Sequence, residues 1–370
     1  MIIDDREILN LQDEIEKYRN CFVNRSLGTF LPKVELIGKF EKYTTEGMNE
    51  SVQFFVSIPI KNQEEIIVDV IRTLLDNSEF PLVIGLLFDN CDDQSLQKCK
   101  IFFEESFHNY KNLNCVYILE SNGELFESTC ENLLFLLCKE KYFVSLQADI
   151  FLDDKTFLKR GLIAFNKTHN LLGVSGRAVI PFRKISKIQN FCTKVLRIHN
   201  YAKNLMPSTD KRRELGPYIQ KLGYFGDISN MPSIKMNYSI SQLNTLYIGD
   251  AIIRGPIIWN SEFLRKLNGF NDISYYLGRD DCDLCFRGSK LGYIVGYIPS
   301  TSYSIPIWGT TRKPRNKEVD ECINTRDLLA ASNPGELTLE WSRKRIFRDF
   351  YHFRQKNRIN QKTISLRVLS

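Results

Sequence analysis

Between residues 52 and 146 the chain alternates uninterrupted apolar runs with segments of helical period, and nothing else in it limits the fold as much. Four runs read as strands: Val52–Ile60, Leu82–Phe88, Cys115–Leu119 and Tyr142–Leu146. They carry few polar interruptions, so they suit strands covered on both faces. Between them Ile67, Val70, Ile71, Leu74 and Leu75 recur at helical spacing, and Ser95–Phe107 and Leu125–Cys138 read as further helices. Strands alternating with helices predict an α/β fold, a doubly wound, mostly parallel sheet with helices on both faces. A helix with Phe157, Leu158, Leu162, Ile163 and Phe165 comes next, then strands at Gly173–Ile180 and Tyr293–Ile298.

Outside this series the patterning is weaker. Asp4–Asn20 reads as an exposed helix with Ile8, Leu11, Ile15 and Tyr18 on one side, suited to packing or self-association into a homo-oligomer. Arg25–Asn49 is loop-like, and Phe182–Asn244 reads as helices and mobile loops over one face of the sheet. The expected organisation is a helical extension over 1–50, a main domain over 51–330 and a basic helical tail over 331–370. Within the main domain, 51–155 forms one half and 156–330 the other.

Charge restricts the partners. The net charge is +6, yet nine Lys/Arg against Asp349 alone place +8 between Trp341 and Ser370, leaving the rest at −2. The body is not a polyanion-binding surface, so nucleic acid is disfavoured. Arg343–Arg358 interleaves Ile346, Phe347, Phe350, Tyr351 and Phe353 with basic residues, a pattern that suits a peripheral membrane contact or a helix packed on the domain. No apolar run approaches ~20 residues, and the start lacks the layout of a secretory signal, which predicts no membrane span and a cytoplasmic location. The ten cysteines show no metal-type pairing and read as free thiols of a reducing compartment.

Carboxylates at the ends of buried strands stand where open α/β sheets bind ligands. Two such places occur, Asp89-Asn90-Cys91-Asp92-Asp93 and Gln147-Ala148-Asp149. Taken alone, Asp89 and Asp92 read as a strand end and a helix cap, and Asp153 as a cap for the helix that follows it. Their order after the turn Pro59-Ile60-Lys61-Asn62 resembles the opening of the family 2-like glycosyltransferases of the GT-A fold. The resemblance implies that Pro59, Asn62 and Glu64 line the nucleotide base and that Asp89 accepts a hydrogen bond from it. Gln147-Ala148-Asp149 resembles the family's Asp-x-Asp signature with its first carboxylate replaced. The resemblance makes Asp149 the ligand of Mn²⁺ or Mg²⁺, and Gln147 can hydrogen-bond a ribose or offer an amide oxygen.

The most specific block lies further on. Arg254-Gly255-Pro256-Ile257-Ile258-Trp259, Leu267-Asn268-Gly269-Phe270 and Asp280-Asp281-Cys282-Asp283-Leu284 lead to Leu291-Gly292-Tyr293. This is similar to the family's acceptor-side block, with Asp280-Asp281 in place of its usual Glu-Asp pair. Asp281 is then the candidate base for the acceptor hydroxyl, Asp280 helps to position the acceptor, and Asp283 supports the helix start electrostatically. After the strand at Tyr293–Ile298, the stretch with Gly309 resembles the mobile diphosphate loop; Trp308, Thr310 and Arg312 are its candidates, with Gly255 on the acceptor side. Relatives carry a metal-binding His there, and none of His108, His169, His199 and His352 lies in this region.

The resemblance spans roughly residues 52 to 315. It implies a glycosyltransferase of the hexosyltransferase kind that moves a sugar from a nucleoside-diphosphate sugar, UDP-sugar favoured, to a hydroxyl on a glycan, protein or lipid. The reaction is divalent-metal assisted and inverting in most of the family. Gln147 and the missing His motivate a rival, a catalytically decayed GT-A fold acting as a binding or scaffold module.

Overall fold

The computed structural model of the 370-residue chain describes residues 5–26, 29–42, 53–176, 179–180, 243–249, 251–252, 255–278, 280–304, 317–337 and 363–366. Helix α1 (Asp5–Arg25) and strand β1 (Val34–Glu41) precede the expected alternation of β2 (Phe54–Ile60), α2 (Ile67–Asp76), β3 (Leu82–Asp89), α3 (Ser95–Ser106), β4 (Leu113–Ser121), α4 (Glu127–Leu136) and β5 (Tyr142–Ser145). Then come β6 (Ile150–Phe151), α5 (Phe157–Lys167), β7 (Leu171–Ser175) and β8 (Val179–Ile180). The second half supplies β9 (Thr245–Gly249), β10 (Ala251–Ile252), β11 (Ile257–Asn260), α6 (Ser261–Lys266), α7 (Asp280–Lys290), β12 (Ile294–Tyr297), β13 (Tyr303–Ser304), α8 (Lys317–Ser332) and β14 (Thr363–Ser365).

Ten strands form one sheet in the order β1-β4-β3-β2-β5-β11-β7-β12-β9-β14. Their pairings set β2, β3, β4, β5, β7, β12 and β14 in one direction, with β1, β9 and β11 opposed. The sheet is therefore mostly parallel in strand direction, as the alternation requires. Successive strand side chains point to opposite faces, so each strand feeds two cores. On one face Phe54, Val56 and Ile58 pack with α2, α3 and α5 through Ile71, Phe103 and Phe157. On the other, Phe55, Phe143 and Trp259 pack with α1, α4, α7 and α8 through Phe22, Leu134, Phe286 and Leu329. Gly85 leaves no room for a side chain under α4: a Cβ there would lie 2.9 Å from Leu134 Cδ2 and 2.7 Å from Phe55 Cζ.

Two segments differ from expectation for the same reason. Residues 34–41, expected as loop, form an edge strand antiparallel to β4, with a bulge between Leu36 and Gly38. Lys39, which broke the apolar pattern, lies buried with its ammonium 5.5 Å from the Tyr117 ring centroid and 2.8 Å from Glu41. The helical tail is likewise not helical throughout, because Thr363–Ser365 joins the sheet beside β9 and Leu366 is buried. A pairing partner more than 70 residues away decided both segments, and no local pattern records it. Most of Phe182–Asn244 and the aromatic-basic stretch 343–358 lie outside the described residues, within which no helix is long and apolar enough to cross a membrane.

Candidate active site

The carboxyl ends of β2 and β3 carry two turns that are laced together. Asn62 and Asn90 both adopt left-handed backbone, φ 51° and 47°, which asparagine tolerates better than most residues. Asn62 Oδ1 accepts the Asp92 N–H (3.0 Å), Glu64 Oε2 accepts that of Gln94 (3.0 Å), and Asp93 Oδ2 accepts that of Glu64 (3.0 Å). Lys61 Nζ reaches Glu124 Oε1 at 2.6 Å and also donates to the Asn90 carbonyl. Pro59, Asn62 and Glu64 are each half-buried along this rim.

Asp89 ends β3 and is buried. Its Oδ1 accepts the Leu125 N–H (2.7 Å), and its Oδ2 that of Phe126 (3.0 Å); Ser121 Oγ also donates to Oδ1 (3.3 Å). Burial and the neighbouring Glu124 push its carboxyl up to about 6, opposed by those N–H groups and by Lys61. The carboxylate expected to face a base thus already holds the loop between β4 and α4. Phe126 lies at φ 66° and ψ 162°, a conformation that costs about 1–3 kcal/mol for a residue with a side chain. The Asp89 bond and the Tyr276 ring, 4.9 Å away edge-on, hold it there.

That strained residue aims the start of α4. Glu127 Oε1 accepts a hydrogen bond from Gln147 Nε2 at 2.9 Å, in the turn that follows β5. The turn closes through Ile150 N–H to the Gln147 carbonyl (3.0 Å) and leaves Gln147 and Asp149 half-buried. Directly after Asp149, β6 pairs antiparallel with β13, Ser304 opposite Ile150. The chain therefore leaves Ser304 beside Asp149 as it runs into residues 305–316. Trp308, Thr310 and Arg312 belong to that segment and lie outside the described residues.

A buried ion pair clamps this arrangement. Arg160 Nη2 lies 2.5 Å from Asp154 Oδ2, and its Nη1 donates to the Pro299 carbonyl at 2.7 Å. Thr301 Oγ1 donates to the Asp153 carbonyl. Asp154 Oδ1 also accepts the Thr156 N–H (3.1 Å) in the turn before α5, while Asp153, expected as the cap, is exposed and the N-cap position, Thr156, has no side-chain capping bond.

The acceptor-side block reaches the same end of the sheet by two routes. First, β11 lies antiparallel to β5 with Ile257 opposite Ser145, and Trp259 Nε1 donates to Ser145 Oγ at 3.1 Å. Gly255, buried just before β11, therefore runs alongside the start of the Gln147 turn. Second, the loop before α7 is docked on α4. Ser128 Oγ donates to the Tyr275 carbonyl (2.8 Å), and its N–H points to the Tyr276 carbonyl (3.4 Å). Asn132 grips Phe270 through its N–H and its carbonyl (2.8 Å each), after a turn in which Asn268 and Gly269 are both left-handed. A Cβ at Gly269 would come within 2.5 Å of Asn132 Oδ1, so the glycine is required there.

Helix α7 begins with Asp280 and Asp281, where a helix N-terminus favours negative charge. Asp280 has no exposed surface and Asp281 keeps 6%; Asp281 Oδ1 accepts the Cys282 N–H at 2.6 Å. Asp283 points inward to Arg287 (2.7 Å), whose guanidinium also donates to the Leu267 and Gly269 carbonyls. Burial raises the Asp283 carboxyl against the pull of Arg287, so this residue anchors the helix.

Among the described residues no three His, Cys, Asp or Glu side chains form a ligand cluster. The donors at the turn are oxygens, the Asp149 carboxylate and the Gln147 amide carbonyl. That set fits a hard cation held mainly by substrate phosphates and does not fit a soft metal. Sequence reasoning missed Glu127 and Ser128. A carboxylate beginning a helix next to a strand-end turn was the available signal, yet their partners at 147, 275 and 276 are visible only in the fold.

No protein-family model matches the chain, and no curated protein does. Among solved structures, S. aureus TarS residues 1–349 in complex with UDP-GlcNAc superimposes with TM-score 0.42 at 13% identity, over 83% of this chain and 74% of that one. The longer TarS structure gives TM-score 0.40 at 12% identity over 79% of this chain, which spans only 41% of that one. Mannosyltransferase PcManGT from Pyrobaculum calidifontis, in complex with GDP-Man and Mn2+, gives TM-score 0.40 at 11% identity, over 78% of this chain and 64% of that one.

Proposed function

We propose that the chain is a glycosyltransferase of the GT-A kind that transfers a sugar from a nucleoside-diphosphate sugar, UDP-sugar favoured, to a hydroxyl acceptor. One observation carries this reading: Ser128 ties the loop before α7 to the start of α4, beside the Glu127–Gln147 bond. The acidic start of α7 and the Asp149 turn thereby belong to one end of the sheet, although 132 positions separate Asp149 from Asp281. Open α/β sheets bind ligands at that end.

In this reading Pro59, Asn62 and Glu64 line the base, and Asp89 shapes that rim by fixing Leu125 and Phe126. Gln147 offers its amide oxygen to the nucleotide, and Asp149 together with the substrate phosphates would hold Mg²⁺ or Mn²⁺. A cation held there would offset the negative charge of the diphosphate. Asp281, the member of the acidic pair with surface to solvent, takes the proton of the acceptor hydroxyl as it attacks the anomeric carbon. Asp280 supports it from inside the helix start. Gly255 borders the acceptor side, and Trp308, Thr310 and Arg312, which lie outside the described residues, are the candidates for neutralising the departing diphosphate.

The test is a transfer and hydrolysis screen over UDP- and GDP-sugars with and without Mn²⁺, followed by Asp149→Ala and Asp281→Ala. Each substitution is expected to cut turnover on the order of 10²–10⁴-fold with an unchanged melting temperature. Turnover like wild type in either variant refutes its role. Nucleotide binding with no transfer from any donor favours the binding-module alternative.

A further inference from the structure

Gln147 is the point at which this chain departs from a paired-carboxylate turn, and the structure gives that departure a partner. Its amide nitrogen lies 2.9 Å from Glu127 Oε1. The amide donates this bond, so it presents its NH2 to the Glu127 carboxyl oxygen and turns its carbonyl oxygen away. The opposite orientation would set two oxygens against each other. We propose that Glu127 is a positioning residue of the donor site: it locks the Gln147 amide so that its oxygen faces a hydroxyl of the nucleotide's ribose.

Two further observations support the pairing. Glu127 follows Phe126, whose costly backbone conformation is held by Asp89 and by the Tyr276 ring. Strain maintained by several partners is typical of sites that need one geometry. Ser128, the next residue, is pinned by Tyr275 and Tyr276, so the start of α4 is fixed on two sides. An aspartate at 147 would instead bring a second carboxyl group toward Glu127, and like charges repel. The missing carboxylate of the turn and the carboxylate at 127 thus form a unit, with the charge carried on the helix and the neutral acceptor on the turn.

This inference rests on the donor-site reading above, and the experiment separates the two. UDP and GDP binding are measured by titration calorimetry in EDTA and again with Mn²⁺, alongside thermal melting. Glu127→Ala frees the amide to rotate and should weaken UDP binding roughly tenfold in both media, the scale of one hydrogen bond between neutral groups. Gln147→Asp should weaken it as much. Adding Glu127→Gln to Gln147→Asp restores one charge and one amide in exchanged positions, and should recover most of the loss. Unaltered binding by Glu127→Ala, or no recovery in the double variant, overturns the proposal. A loss seen only with Mn²⁺ would assign the amide oxygen to the cation and overturn the ribose assignment. A lower melting temperature with binding intact would make Glu127 merely structural. If wild type binds neither nucleotide, the donor-site reading itself falls.

Discussion

Asp89 holds its proton at a pH where most carboxyls have lost theirs. Burial beside Glu124 raises its folded-state value to about 6, against 3.8 for an ordinary aspartate. The folded chain therefore binds more protons than the unfolded one between these values. This contribution to stability is complete below pH 4 and is lost as pH rises through 6. The unfolding free energy of wild type minus that of Asp89→Asn should fall by roughly 2–3 kcal/mol from pH 4 to pH 6.5; a flat difference curve in denaturant melts would contradict the burial account. At this scale the sequence showed where Asp89, Gln147, Asp149 and Asp281 stand, at strand ends or a helix start. It did not show what those groups face. Asp89 bonds residues 125 and 126, and Glu127 bonds residue 147, across loops whose paths are set by packing.

Among the elements, the Asp154–Arg160 pair decides where the chain after β12 can go. Arg160 is 3% exposed and holds the Pro299 carbonyl, while Thr301 rests on Asp153. Removing one member of a buried pair leaves the other charge without compensation, so Arg160→Met should cost about 3–5 kcal/mol in chemical denaturation. Adding Asp154→Asn should return ~1 kcal/mol or more of it, since the two effects share one interaction. Strictly additive losses would mean that the pair is not the clamp. Strands β2 to β5 and helices α2 to α5 were legible locally, because apolar runs covered on both faces leave an unmistakable pattern. Strand β1 was not, since its Lys39 is satisfied by Tyr117 and Glu41, and β14 is a strand only because β9 is beside it.

Across the whole molecule, helices from distant parts of the chain close over the α4 face. Arg326 of α8 is buried, donates to the Asp272 carbonyl (2.6 Å) and Thr129 Oγ1 (3.2 Å), and lies 4.9 Å from the Phe22 ring and 5.2 Å from the Tyr276 ring. Tyr18 of α1 donates to the Asp272 carboxylate and accepts from Asn132 Nδ2 at 3.1 Å. Arg326→Met should therefore destabilise by about 2–4 kcal/mol. It should also speed amide exchange in α1 and α8 together; unchanged protection in α1 would show that the two helices are independent. Local apolar period and strand-end acids by themselves determined the α/β class, the order of the central elements and the end of the sheet that bears the polar turns, because those properties are written within a few consecutive residues. Tertiary structure alone decided the edge strands, the inward Asp89 and the Glu127–Gln147 bond, because each depends on a partner that only the folded chain brings within reach.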